Sequence, residues 1–143
     1  MIILALGEIL EKMNEEQAMT EERPSVFITD SRHAERAMEM AGMVYEGEIS
    51  LAEVGFCKLE TQQECLAGSL CIPKLLDVLG SRYRMLFFIN QRHIVIVDDD
   101  DFARRLILRI RRSKTNQGDT RERFLYNFIG QFMSRDLELL GRY

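Results

Sequence analysis

The segment Arg84–Asp98, RMLFFINQRHIVIVD, decides the fold class of this chain. Two apolar runs flank the polar residues Asn90–Arg92, which is the pattern of a β-hairpin. Both runs are continuously apolar, whereas a strand with one face in water would alternate apolar and polar side chains. The pattern therefore predicts two central strands, Tyr83–Ile89 and His93–Val97, covered on both faces.

Upstream of the hairpin, the sequence predicts further strands and one capped helix. The predicted strands are Ile2–Leu6, Ser25–Thr29, Val54–Glu60 and Glu64–Ile72. Asp30 or Ser31 can cap a helix from Arg32 to Ala41, and Gly42 stands where a left-handed residue closes a helix. The Glu-rich stretch Glu8–Glu22 is predicted as part helix and part loop.

Two amphipathic helices are predicted downstream of the hairpin. The first, Phe102–Arg112, has apolar residues on one side and arginines on the other. The second, Asp119–Tyr143, has a wide apolar arc. Strands interrupted by one helix and followed by two helices predict an α+β fold. We expect a mixed α/β sandwich, with a largely antiparallel sheet covered by helices and a long C-terminal helix.

Length and composition limit the classes of function. The chain has 143 residues, 46% of them apolar, and a formal net charge of −4. These values fit a single globular domain and argue against a protein built around nucleic acid, which usually carries a basic excess. No apolar run approaches the roughly 20 residues that a bilayer span needs, so the chain itself is expected to be soluble.

The titratable and nucleophilic residues give little indication of catalysis. Cys57, Cys65 and Cys71 have no C-x-x-C spacing, and only His33 and His93 could complete a zinc site. A thiol enzyme would need a histidine beside a cysteine, and the sequence places neither histidine there. Phosphate-binding and hydrolase motifs are also missing from the sequence. We therefore expect no enzymatic activity.

Four consecutive carboxylates form the most conspicuous motif: Asp98, Asp99, Asp100 and Asp101. Carboxylate oxygens are the ligands that Mg²⁺ prefers, so the run is a candidate metal site. Adjacent residues of a strand point to opposite faces, however, which hinders four of them from converging on one ion. The favoured interpretation is that Asp100 or Asp101 caps the following helix, where negative charge also meets the positive end of the helix dipole.

The arginines of the next helix allow a second interpretation of function. Arg104, Arg105, Arg109, Arg111 and Arg112 lie on one side of the predicted helix. Such a surface could dock nucleic acid or an acidic partner. It is also typical of a solvated helix face, and the acidic run beside it would repel phosphate. A stand-alone binding module is therefore the alternative hypothesis.

Several segments resemble one family, the CorA-type magnesium and divalent-cation transporters. Arg84–Asp98 resembles the hairpin that ends the regulatory sheet of that family, and Gly68–Pro73, GSLCIP, is similar to the preceding strand. Arg123–Tyr143, RFLYNFIGQFMSRDLELLGRY, resembles the family's Leu-Leu-Tyr stretch with its acidic and aromatic-aliphatic repeats. Phe27–Gly42 is similar to the strand–helix unit near the start of the domain. The family's Gly-Met-Asn pore signature is absent.

The resemblance implies a cytosolic regulatory domain over residues 1–118 and the start of a stalk helix over residues 119–143. It implies Mg²⁺ as the sensed or transported ion, self-association as a pentamer, and attachment to the inner or plasma membrane through helices that this chain lacks. Nucleic acid is not an expected partner. Glu46 and Glu48 lie in the region where the family binds its regulatory ion, so they join the aspartates as candidate metal ligands.

Overall fold

The computed structural model describes residues 1–43, 58–62, 65–73, 82–113 and 115–140. Within them lie seven strands and four helices. The strands are β1 Ile2–Ala5, β2 Glu11–Met13, β3 Ser25–Thr29, β4 Lys58–Gln62, β5 Cys65–Pro73, β6 Arg82–Ile89 and β7 His93–Asp98. The helices are α1 Glu15–Thr20, α2 Ala34–Met40, α3 Phe102–Arg111 and α4 Arg121–Leu140.

The strands form one mixed sheet in the order β2-β1-β3-β7-β6-β5-β4. Among the described strands, five of the six pairings are antiparallel, and only β3 and β7 pair in parallel. The expected α+β fold with a largely antiparallel sheet is therefore confirmed. The parallel pair lies near the middle of the sheet and brings Val26 of β3 opposite Ile94 of β7.

A helix layer covers each face of the sheet. On one face, Val95 and Val97 pack with α2, and Ala18 of α1 lies against the same cluster. On the other face, Ile94 and Ile96 pack with α3 and α4. These four β7 side chains are completely buried. Burial on both sides explains why Ile94–Val97 is a continuous apolar run, as the hairpin sequence predicted.

Asn90 organises the turn of the central hairpin. Its side-chain oxygen accepts hydrogen bonds from the backbone N–H groups of Arg92 at 2.9 Å and His93 at 2.6 Å. Its amide nitrogen donates to the carbonyl of Ala41 after α2 at 2.9 Å. Arg121, the first residue of α4, donates to the Asn90 carbonyl. One turn thus connects the two helix layers.

Helix α2 begins two residues later than the sequence predicted. Its N-cap is His33, which makes no side-chain capping bond, and the helix starts at Ala34. Neither Ser31 nor Asp30 occupies the cap position, because Ser31 donates to Asp99 while Asp30 accepts from the backbone N–H of His33. At the other end, Gly42 has φ +70°, which confirms the predicted left-handed closure.

The stretch Glu8–Glu22 contains the short edge strand β2, which the sequence analysis did not predict, and α1. Asn14 and Gln17 form a reciprocal capping box at the start of α1, with bonds of 2.8 and 2.9 Å. Residues 54–57 of the predicted strand Val54–Glu60 lie outside the described residues, and β4 begins at Lys58.

The terminal helix spans Arg121–Leu140, so it begins two residues later than the predicted Asp119, and residues 141–143 of the prediction lie outside the described residues. Phe124 and Phe128 of this helix are completely buried against the sheet, while Tyr126 is 73% exposed. Gly118 lies so close to the helix that a Cβ atom there would be 3.0 Å from the Phe124 Cβ. The connection between α3 and α4 therefore requires a residue without a side chain at this position.

Gln117 fixes the α3–α4 connection to the opposite end of the chain. Its side chain is buried; its oxygen accepts from the Leu10 backbone N–H at 2.9 Å, and its nitrogen donates to the carbonyls of Arg111 at 3.1 Å and Ser113 at 3.2 Å. This role could not be predicted from the sequence, because an isolated glutamine belongs to no recognisable motif.

Gln117→Ala is expected to lower the free energy of unfolding by about 2 kcal/mol, because a buried N–H group loses its only side-chain acceptor and two carbonyls lose a donor. Urea denaturation monitored by circular dichroism measures the change. Gln91→Ala, in the exposed hairpin turn, is the matched control and should change stability by less than about 0.5 kcal/mol. Equal effects of the two substitutions would contradict the proposed role of Gln117.

Candidate functional site at the ends of the parallel strands

The candidate site follows from the parallel pairing of β3 and β7. Because the two strands run in the same direction, their carboxyl ends meet at one edge of the sheet. Ligands of sheets with parallel strands bind preferentially at this edge. Here Asp30 and Ser31 follow β3, while Asp98 ends β7 and precedes three more aspartates. The fold thus gathers five carboxylates from two distant parts of the chain.

Asp99 links the two loops. It accepts hydrogen bonds from the Ser31 backbone N–H and from the Ser31 hydroxyl, both at 2.7 Å. Bonds to a charged acceptor are shorter and stronger than neutral ones, and two from one residue fix the orientation of the carboxylate. The contact joins residues 68 positions apart in sequence. It fixes the position of the loop after β3 relative to the loop after β7.

Asp98 is the buried member of the four consecutive aspartates. Its side chain is buried, and its oxygens accept from the backbone N–H groups of Asp100 at 2.9 Å and Ala103 at 2.5 Å. The second bond satisfies one of the free N–H groups in the first turn of α3. Burial raises the pKa of the Asp98 carboxyl, against the opposing effect of these bonds.

The prediction that Asp100 or Asp101 caps α3 was wrong. An aspartate of the same run does bond to the first turn of the helix, but it is Asp98. Asp101 occupies the N-cap position but has left-handed backbone angles, φ 57° and ψ 20°, and makes no capping bond. An extended N-cap residue would aim its side chain at the helix, whereas this conformation does not. The carboxylate of Asp98 takes over the capping bond from the end of the strand.

Asp30 lies on the other loop and pairs with a histidine. Its oxygen is 2.8 Å from Nδ1 of His33 and accepts from the backbone N–H of the same residue at 3.0 Å. The side-chain bond, together with the backbone bond, lowers the pKa of the Asp30 carboxyl. Asp30 is therefore charged wherever the domain operates near neutral pH.

A small cavity of about 190 Å³ opens beside these residues. Its lining combines apolar side chains of β1 and β3 with polar groups of the two loops and of α3: Met1, Ile2, Ile28, Thr29, Asp30, Asp98, Asp101 and Arg104. The lining thus combines three carboxyl groups, those of Asp30, Asp98 and Asp101, with the basic side chain of Arg104.

The predicted metal ligands have separate surroundings. Asp98 and Asp99 are engaged by backbone and serine donors, whereas Asp100 and Asp101 are exposed. Across the part of the chain that the structure describes, no three His, Cys, Asp or Glu side chains are grouped to hold a metal ion. Glu46 and Glu48 lie outside the described residues. A metal site at these six positions remains a prediction.

The predicted arginine side of α3 is partly occupied by intramolecular contacts. Arg104, Arg105, Arg111 and Arg112 are exposed, and the Arg105 guanidinium lies 5.5 Å from the centre of the Phe102 ring. The apolar side was predicted correctly, since the five expected residues are all buried: Phe102, Ala103, Leu106, Ile107 and Ile110.

His93 has two structural partners. His93 accepts from the Ser25 backbone N–H at 3.1 Å, and its ring meets the Phe27 ring edge-on at 5.5 Å. Burial, reinforced by the charge of Arg92, lowers the pKa of His93. The imidazole is therefore held as a neutral acceptor between β3 and β7.

Ser31 and Asp30 were the members of this edge that sequence reasoning missed as site residues. Their proximity to Asp98 and Asp99 depends on a parallel pairing that the sequence analysis did not predict. The available signal was the presence of short polar segments soon after two apolar runs, Val26–Ile28 and Ile94–Val97.

No protein-family model matches the chain, and no curated protein matches it. Among the described helices, none has the length and the apolar character needed to cross a bilayer.

Proposed function

We propose that this chain is the cytosolic regulatory and assembly domain of a CorA-like Mg²⁺ transporter, in which bound ion controls a pore. The placement of α4 is the observation that carries this proposal. The early turns of α4 are anchored in the core by Phe124 and Phe128, while Tyr126 and Ile129 are 73% and 47% exposed. A helix that is anchored on one side and exposes Tyr126 and Ile129 on the other is suited to connect a sensing sheet with neighbouring subunits.

The acidic edge of the sheet supports the sensing part of the proposal. Asp100 and Asp101 present exposed carboxylates, which are suitable ligands for a hard cation. An ion shared with an acidic group of a neighbouring subunit stabilises the assembled form, and its loss leaves like charges facing each other. Gating is then a population shift, driven by the difference in Mg²⁺ affinity between the assembled and separated arrangements.

A titration with MgCl₂ tests this function directly. At about a hundredfold excess over the dissociation constant, a ligand that binds only the folded protein stabilises it by about 2.7 kcal/mol, which is visible as a rise in melting temperature. Light scattering on the same samples measures oligomer size, and KCl at equal ionic strength controls for screening.

The double variant Asp100→Asn/Asp101→Asn should lose the response, whereas Glu22→Gln, an exposed carboxylate in the loop before β3, should keep it. A wild-type protein with the same melting temperature in MgCl₂ and KCl does not sense Mg²⁺.

The alternative is a stand-alone module that binds an acidic partner or nucleic acid. The exposed arginines of α3 favour it. Fluorescence anisotropy with labelled single-stranded and double-stranded oligonucleotides distinguishes the two functions, because phosphate binding weakens steeply as salt increases. Salt-dependent binding of an oligonucleotide without a response to Mg²⁺ would favour the module.

A further inference from the structure

The helix layer formed by α1 and α2 has an acidic outer surface. Four exposed glutamates lie on these helices, accompanied by a single arginine: Glu15, Glu16, Glu35, Glu39 and Arg36. Arg36 is already shared between two of them, at 3.6 Å from Glu15 and 3.6 Å from Glu39. The acidic layer, as we call this surface, therefore keeps an excess of negative charge.

The layer formed by α3 and the described part of α4 has the opposite charge. Over residues 102–112 and 121–131, the exposed ionic side chains are five arginines and one glutamate: Arg104, Arg105, Arg111, Arg112, Arg123 and Glu122. This basic layer and the acidic layer cover opposite faces of the same sheet. The described helix surfaces on the two faces of the sheet are thus opposite in charge.

Each layer also exposes an apolar side chain among its charges. Leu108 is 43% exposed, and its neighbours three and four positions away along α3 are Arg104, Arg105, Arg111 and Arg112. Met19 is 76% exposed and has Glu15 and Glu16 at the same spacing on α1. Each layer therefore offers an apolar side chain that a docked partner would cover.

We propose that the basic layer of one copy docks on the acidic layer of a second copy of this chain. The proposal deepens the assembly role in the proposed function, on which it rests. The chain supplies both complementary surfaces, so no other partner is needed to neutralise either layer. Nucleic acid fits less well, because the chain as a whole has a formal net charge of −4.

The geometry of the two layers determines the type of assembly. Because the contacting surfaces are different and lie on opposite faces of the sheet, each copy keeps one free surface after the first contact. Such head-to-tail contacts produce closed rings or open filaments, whereas a two-fold dimer would use the same surface twice. Association should also weaken with salt, since the charges are exposed and the screening length at 0.1 M salt is about 10 Å.

Sedimentation velocity of wild type and two charge-reversal variants tests the contact. The basic-layer variant is Arg105→Glu/Arg111→Glu/Arg112→Glu, and the acidic-layer variant is Glu16→Lys/Glu35→Lys; all five side chains are exposed, so both variants should fold with the wild-type circular dichroism spectrum. At about 50 mM salt, wild type is expected to form assemblies larger than dimers. Each variant alone should be monomeric, because both of its layers have the same sign.

An equimolar mixture of the two variants should assemble again, because each reversed layer then faces a complementary one. Recovery in the mixture cannot arise from misfolding of either variant. Wild type that stays monomeric at low salt, variants that assemble like wild type, or a mixture that stays monomeric would overturn the proposal. Wild type that binds an oligonucleotide through Arg111 and Arg112 while remaining monomeric would also overturn it. Calorimetric Mg²⁺ binding by the monomeric variants shows separately whether ion sensing holds.

Discussion

Phe124→Ala is expected to lower the free energy of unfolding by about 3–5 kcal/mol, the usual cost of deleting a buried aromatic ring. The Phe124 side chain is completely buried and stacks on Phe128 with ring centres 5.9 Å apart. Phe128 in turn meets Phe87 of β6 edge-on at 6.0 Å. The substitution removes the first member of this aromatic row and leaves a cavity beneath α4.

Urea denaturation followed by circular dichroism measures this loss, and Tyr126→Ala is the control on the same helix. Tyr126 is 73% exposed, so its removal should change stability by less than about 0.5 kcal/mol. Similar small effects for both variants would show that α4 is not anchored to the sheet. The proposed coupling between ion sensing and the terminal helix would then lack its physical basis.

The central sheet and the apolar face of α3 could be predicted because their signals are local. Continuous apolar runs around Asn90–Arg92 specify a hairpin covered on both faces, whatever the rest of the chain does. The helical spacing of Phe102, Leu106 and Ile110 likewise identifies a buried stripe without any knowledge of its partner. Gly42 was predictable for the same reason, since helix closure depends on the residue's own backbone freedom.

The site at the sheet edge could not be predicted in the same way. Its geometry depends on β3 and β7 being parallel neighbours, and the Ser31–Asp99 contact joins residues 68 positions apart. The choice of capping aspartate was also hidden, because it depends on the left-handed backbone of Asp101 rather than on composition. The pairing of strands that are distant in sequence and the conformation of loops depend on the whole fold, so a short stretch of sequence does not determine them.

The second large effect is expected for Asp98→Ala, which should cost about 3 kcal/mol. The substitution removes the acceptor of the Ala103 and Asp100 backbone N–H groups, and leaving a buried donor unsatisfied costs about 1–3 kcal/mol. Ala103 itself is completely buried. Asp100→Ala, at the exposed neighbour, is the matched control with an expected change below about 0.5 kcal/mol.

The pH dependence of stability provides an independent test of the same carboxyl. Burial raises the pKa of Asp98 above its ordinary value of 3.8, so the folded protein binds this proton more tightly than the unfolded chain does. The stabilisation from this proton is complete below pH 3.8 and is lost as the pH rises through the raised folded pKa. The difference in free energy of unfolding between wild type and Asp98→Asn should therefore fall across that window and be constant above it. A difference that rises with pH would mean that the hydrogen bonds to the charged form outweigh burial, and Asp98 would then cap α3 as an ordinary ionised carboxylate.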